Sequence, residues 1–230
     1  VAQYIEQASY SNYQSIKRVE EKEYYQPSAA QKRMYMLQQL APDSTSYNIP
    51  AVLKLTGQLE LSKIEDVIQQ LIVRHESLRT YLERREETVV QIIVGEPEFE
   101  LRYIEESDKS SDQVIKEFIR PFDLGQAPLI RAQVLKEAED EYILMFDMHH
   151  SISDGSSMAL IIDEFVKLYQ GEELEELNIQ YKDYAEWQNG LLESQVMEEQ
   201  EDYWLDRFSD DLPVLDLPTD YPRPSVKSLA

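Results

Sequence analysis

The sequence predicts a mixed α+β fold with helices and sheet in layers. Two observations carry that prediction. Segments with apolar residues every three or four positions interleave with short segments rich in Val, Ile, Tyr and Phe, the periods of an amphipathic helix and of a strand. The 230 residues are 42% hydrophobic and 10% aromatic, enough to bury one sizeable core or two small ones between such elements.

In chain order, VAQYIEQ (residues 1–7) sets Val1, Tyr4 and Ile5 on one side, like the last turns of a helix. Residues 8–26 are polar, mixed in charge and without an apolar period, which reads as a linker, so folded structure is expected from Pro27. Ser28 can cap a helix whose Met34, Leu37 and Leu40 share a stripe. A strand is expected over 51–56. A second helix follows over 61–75, with Leu61, Ile64, Ile68, Leu71 and Ile72 at helical spacing. SLRTYLER, TVVQIIV and FELRYIE then read as the strands of a meander. A short helix is expected over 113–119, and two more strands, LIRAQVLKE and EYILMFDMHH, flank the acidic turn AEDE. Met158, Ile161, Ile162, Phe165, Leu168 and Tyr169 place a long helix over 156–169, ended by Gly171. The four prolines after Leu212 favour an extended path.

Composition excludes several classes of function. Lys and Arg total 22 against 45 Asp and Glu, a formal charge of −23, and such a polyanion repels phosphate backbones, so neither nucleic acid nor an anionic membrane is an expected partner. Without Cys there is no disulfide, no Cys-ligated zinc and no thiolate nucleophile. No stretch approaches the roughly 20 apolar residues of a membrane helix, and the first residues lack a basic end followed by an apolar run. The expected location is cytoplasmic.

The richest chemistry lies at Met148-His149-His150-Ser151-Ile152-Ser153-Asp154-Gly155, where two of only three histidines meet. Strand alternation puts Tyr142, Leu144, Phe146, Met148 and His150 on one face and Ile143, Met145, Asp147 and His149 on the other. One imidazole can therefore serve chemistry while the other is held in the fold. Adjacent histidines on opposite faces cannot chelate one ion, so no metal is expected. The loop runs into a helix N-terminus with free N–H groups, and Gly155 would let backbone approach a ligand. Taken alone, Arg74 and Arg79 read as the solvated end of a helix, where cations are favoured, His75 as structural, and Tyr181, Tyr184 and Trp187 as packing.

HHSISDG resembles the HHxxxDG signature of condensation domains of non-ribosomal peptide synthetases. SAAQKRMYML (28–37) is similar to that family's opening motif, RHESLRT (74–80) to its second and YKDYAEW (181–187) to its fourth, in the family's order. Tyr203-Trp204 is similar to a later element, and VAQYI to the last helix of a peptidyl carrier domain.

The resemblance implies a two-lobed, chloramphenicol-acetyltransferase-like fold, of which residues 27–178 would be the first lobe. Residues 179–230 would be the crossover and the start of a truncated second lobe, 1–7 the end of an upstream carrier domain and 8–26 the linker between them. It implies amide formation between a carrier-bound acyl donor and an aminoacyl acceptor, as in antibiotic biosynthesis. His150 would be catalytic, either as a base or by positioning the amine. His149, Gly155, Arg79 and Trp204 would have supporting roles, and Asp154 would make a structural ion pair with Arg74. No cofactor is expected on the chain itself, because substrates ride on the phosphopantetheine of partner carrier domains. Upstream and downstream carriers and an adjacent adenylation domain are the implied partners. An epimerisation domain shares the double histidine, but SDGSSMALIIDEF lacks the Trp expected after its Gly. A non-catalytic carrier-docking fragment is the remaining alternative.

Overall fold

The computed structural model describes residues 15–210, 212, 217, 218 and 220–222. The expected carrier-domain end at 1–7 lies outside them, as does the linker up to residue 14. The elements in order are α1 (Ala29–Leu40), β1 (Asn48–Thr56), α2 (Leu61–Arg74), a 3-10 turn (Glu76–Arg79), β2 (Thr80–Arg85), β3 (Thr88–Ile93), β4 (Arg102–Ile104), α3 (Ser111–Phe118), β5 (Ile130–Ala138), β6 (Glu141–His149), α4 (Gly155–Tyr169), α5 (Tyr181–Leu192) and α6 (Gln195–Arg207). No helix among the described residues is long and apolar enough to cross a membrane.

A four-stranded sheet in the order β1-β6-β5-β4 forms the middle layer, antiparallel except where β4 runs parallel to β5. The alternation along β6 holds. Leu144 and Met148 join a core with Ile64, Ile68, Leu71 and Ile72 of α2, against which Met158, Ile161 and Phe165 of α4 also pack. Ile143 and Met145 face the other way, onto Val114 and Phe118 of α3. β6 is thus covered on both faces, so its apolar residues run nearly unbroken rather than alternating with polar ones.

Four expectations are corrected. The meander does not form, because β2 and β3 make a separate hairpin and β4, only three residues long, pairs with β5 instead of β3. The strand expected from Ser77 begins at Thr80, since the Thr80 hydroxyl donates to the Glu76 carbonyl at 2.6 Å and tightens the preceding turn. On α1 the expected stripe is buried only in part: Met34 is buried and Leu37 half-buried, but Leu40 is 82% exposed, and Gln31 and Gln38 share the buried face instead. Ser28 caps α1 as expected, but the Gln31 side chain completes a capping box and that of Gln38 donates to the Pro42 carbonyl, so bonded amides occupy buried positions.

The fourth correction concerns where folded structure begins. Residues up to Gln26, expected as linker, are attached from Val19 onward: Val19 N–H donates to Asp183 at 2.8 Å, Lys22 pairs with Glu186, and Tyr25 exchanges both backbone bonds with Gln91 at 3.0 Å. Tyr25 is buried, its ring beneath the Lys182 ammonium. Helix α5, expected as crossover, is bound to the same body. Asn189 donates to the Pro27 carbonyl, Gln188 accepts from Ala29 N–H, and Gln180 donates to the Arg74 carbonyl.

Candidate active site

The double histidine sits where β6 leaves the sheet. His149 N–H donates to the Leu129 carbonyl at 3.0 Å and His150 N–H to the Tyr47 carbonyl at 2.8 Å. The residues just before β5 and β1 therefore fix the backbone of both histidines.

The two imidazoles have opposite environments. That of His149 is 1% exposed, set between Tyr47 and Phe122. Ser151 N–H donates to its Nδ1 at 3.1 Å, which leaves the neutral ring's proton on Nε2. Burial, with a smaller contribution from the charge of His150, lowers its pKa to about 4. Burial thus favours the neutral form of the His149 imidazole. His150, one residue on, is exposed.

After a turn closed by Ile152 N–H on the His149 carbonyl, Asp154 caps α4. Its carboxylate accepts from Ser157 N–H at 2.8 Å and from the Ser157 hydroxyl at 2.7 Å, and these bonds lower its pKa. A methyl group on Gly155 would meet nothing within 4 Å, so no packing among the described residues demands a glycine.

The ion pair between Asp154 and Arg74 that the resemblance implies does not form. Asp154 is exposed and engaged in its cap, while Arg74 Nε bonds both oxygens of the buried Glu164, at 3.2 and 3.3 Å. His75 joins the same carboxylate. Glu164 lies ten residues along α4, and at ~1.5 Å per residue that separation carries the partnership well down the helix, away from the motif loop.

Arg79 donates to the Val94 carbonyl at 2.6 Å and to the Val73 carbonyl at 3.3 Å, which locks the base of the β2–β3 hairpin. Trp204 is 54% exposed on α6, stacked on Phe208 and edge-on to Tyr203. The structure thus gathers His149, His150, Asp154 and Gly155 at one strand–loop–helix junction and places Arg74, Arg79 and Trp204 elsewhere.

The four sequence motifs nonetheless form one network. Gln31 of the first motif donates to the Ser151 carbonyl in the third, and Ser28 shares a 2.9 Å bond with Tyr181 of the fourth. The buried Lys182 ammonium of the fourth motif pairs with Glu76 of the second. Arg74 and His75 of the second are tied by Glu164 to the helix that follows the third.

One cluster carries no motif. Asp147, fully buried on the His149 face of β6, accepts from the Asn48 amide at 2.7 Å and lies 3.5 Å from Arg131 Nε. Burial raises the Asp147 pKa and lowers that of Arg131 to about 10. Arg131 also covers the Phe122 ring at 3.6 Å. The available signal was an acid two residues before His149, on the same strand face.

The model of the family described as Condensation domain matches residues 21–230. The chain is 47% identical over 228 residues to surfactin synthase subunit 1 of Bacillus subtilis (strain 168), covering 99% of the chain and 6% of that protein. It is 44% identical over 230 residues to tyrocidine synthase 3 of Brevibacillus parabrevis, covering all of the chain and 4% of that protein. Among solved structures, the complex of the X-domain and OxyB from teicoplanin biosynthesis matches with a TM-score of 0.81 at 23% identity, over 93% of this chain and 49% of that one. The starter condensation domain of rhizomide synthetase matches with a TM-score of 0.70 at 25% identity, over 81% of this chain and 48% of that one. The chain therefore spans about half of these solved chains and a small part of the curated synthetases. A mixed α+β lobe built around the double-histidine junction, and a family match covering nearly its whole length, make this chain a member of the condensation-domain family of non-ribosomal peptide synthetases.

Proposed function

We propose that this chain contributes the histidine-bearing half of a site for amide formation between two substrates held as thioesters on phosphopantetheine arms of upstream and downstream carrier domains. The contrast between the two imidazoles carries the proposal: His149 is buried and neutral, and His150 is exposed on a backbone fixed by Tyr47. The acceptor amine attacks the donor carbonyl, a C–N bond forms, the C–S bond breaks and the thiol stays on the donor arm. His150 hydrogen-bonds the amine, takes up its proton as the tetrahedral centre forms and returns it to the departing sulfur as the C–S bond breaks, a role that contributes typically ~10²–10⁴-fold.

The test is His150→Ala, with dipeptidyl-carrier formation followed by intact-protein mass spectrometry in the module carrying this chain. At least ~100-fold loss is expected, with stability within about 0.5 kcal/mol because the side chain is exposed. Undiminished turnover on both thioesters would reject the assignment.

A further inference from the structure

Four of the six buried side-chain atoms without a hydrogen-bond partner among the described residues belong to one block of the sheet: Asn48 Oδ1, Arg131 Nε, Asp147 Oδ1 and His149 Nε2. Strand register gathers them. Asn48 of β1 stands opposite His149 of β6, and Arg131 of β5 stands opposite Asp147, two residues earlier on β6. Directly opposed residues share a face with their Cβ atoms about 4.5–5.5 Å apart, and residues two apart on one strand share it as well. The four side chains therefore sit together on the face opposite Leu144 and Met148.

The bonds that do form tie this block to both histidines. Asp147 Oδ2 accepts from the Asn48 amide at 2.7 Å, and residue 48 follows Tyr47, whose carbonyl holds His150 N–H at 2.8 Å. The Asn48 amide and the Arg131 guanidinium both donate to the Arg120 carbonyl, at 2.9 and 2.7 Å, and Arg131 also donates to the Pro121 carbonyl at 3.3 Å. These bonds fix the approach to Phe122, whose ring lies under Arg131 and meets the His149 ring edge-on. Asp147, fully buried, supplies the charge that Arg131 faces at 3.5 Å.

The orphaned atoms complement one another. Ser151 N–H donates to His149 Nδ1, so His149 Nε2 carries the ring proton and is a donor, as is Arg131 Nε. Asp147 Oδ1 and Asn48 Oδ1 are acceptors, the latter because both bonds of the Asn48 amide are made through its nitrogen. Leaving such atoms unpaired in the interior is costly, and a buried water bonded to several of them is the usual remedy. Two donors and two acceptors match a single water, which accepts two hydrogen bonds and donates two. A cation at the same place would face the Arg131 guanidinium, and an anion the Asp147 carboxyl group, so neither fits as well.

We propose that Asp147 is the positioning residue of the double-histidine junction, holding Asn48 and Arg131 directly and the His149 Nε2–H through one ordered water. The water site stands on the strand geometry alone. Its consequence for turnover rests on the role given to His150 above.

The test pairs a spectrum with a rate. In the full chain, isotopically labelled at histidine, two-bond nitrogen–proton correlations report the His149 tautomer and a rotating-frame Overhauser contact reports water beside Hε2. Wild type should carry the proton on Nε2, in contact with a water. Asp147→Asn keeps the shape but leaves one acceptor oxygen where there were two, so it cannot serve both Asn48 and the water. Exchange of Hε2 with solvent should quicken roughly three- to tenfold. In the module carrying this chain, kcat for dipeptidyl-carrier formation should fall roughly 10–100-fold at unchanged KM, the mark of misplacement rather than lost binding. The proposal is overturned if wild type carries the proton on Nδ1, if Hε2 contacts no water, or if the variant leaves either the exchange rate or kcat unchanged. When kcat alone is unchanged, full turnover by His150→Ala shows that the catalytic assignment, not the water site, has failed. The wild-type spectrum decides on its own if the variant does not fold.

Discussion

Acidification should destabilise this lobe through His149. Its folded-state pKa is lowered to about 4 by burial, against about 6.5 when the chain unfolds. Between those values the unfolded chain binds more protons, so unfolding free energy rises with pH. The contribution is fully present above pH ~6.5 and is lost as pH falls towards 4. Over the first part of that window, from pH 7 to pH 5, the loss comes to about 2 kcal/mol. Asp147 has the opposite sign: burial raises its pKa, so its contribution is present at low pH and lost as pH rises through the raised value. His149→Asn separates the two, because an amide oxygen can accept from Ser151 N–H and does not titrate. Urea unfolding of wild type and variant at pH 7 and pH 5 gives the double difference, in which Asp147 and the exposed carboxylates cancel. The stability gap should shrink by about 2 kcal/mol on acidification. A gap that stays constant would show that His149 is not held neutral by burial, and the division of roles between the histidines would fall with it.

Other substitutions separate capping from charge compensation. Asp154→Ala removes only a helix cap and should cost about 1 kcal/mol in thermal melting. Glu164→Ala strands Arg74 and His75 beside a buried site and should cost about 3 kcal/mol; a larger loss at Asp154 than at Glu164 would reverse the assignment. Ile72→Ala, at a fully buried position in the main core, should lower the urea midpoint by the equivalent of about 2–5 kcal/mol, and a shift worth less than about 1 kcal/mol would mean that α2 is looser than its packing implies.

Local periodicity made most of this legible in the sequence. The two-residue alternation along β6 is a property of any strand, so the opposite placement of His149 and His150 follows from the sequence alone. Ser28 at the head of α1 was legible for the same reason, since a cap is satisfied within three residues. Partners distant in sequence were not legible. Arg74 has 45 acids to choose from, and which one it meets depends on how α4 crosses α2; that crossing brings Glu164, not Asp154, beneath it. The Asp147–Asn48–Arg131 cluster was missed because its members lie on three strands. The attachment of residues 19–26 was missed because polar residues that dock by hydrogen bonds have no apolar period.

The strand order also fixes when the histidines can be set in place. β5 and β6 are joined by a tight turn at Asp140, whereas β1 meets β6 across about a hundred residues, with Asn48 opposite His149. Closing the longer loop costs roughly 3 kcal/mol more entropy than closing the hairpin, so β1 is expected to dock after the hairpin. It is β1 and the residue before it that supply the Tyr47 carbonyl to His150 and the Asn48 amide to Asp147. A nascent lobe can therefore hold its hairpin and still lack a fixed His150, and a one-residue slip of β1 would remove both bonds at once. Geometry at the double histidine is acquired in that long-range closure, so it reports strand docking rather than collapse.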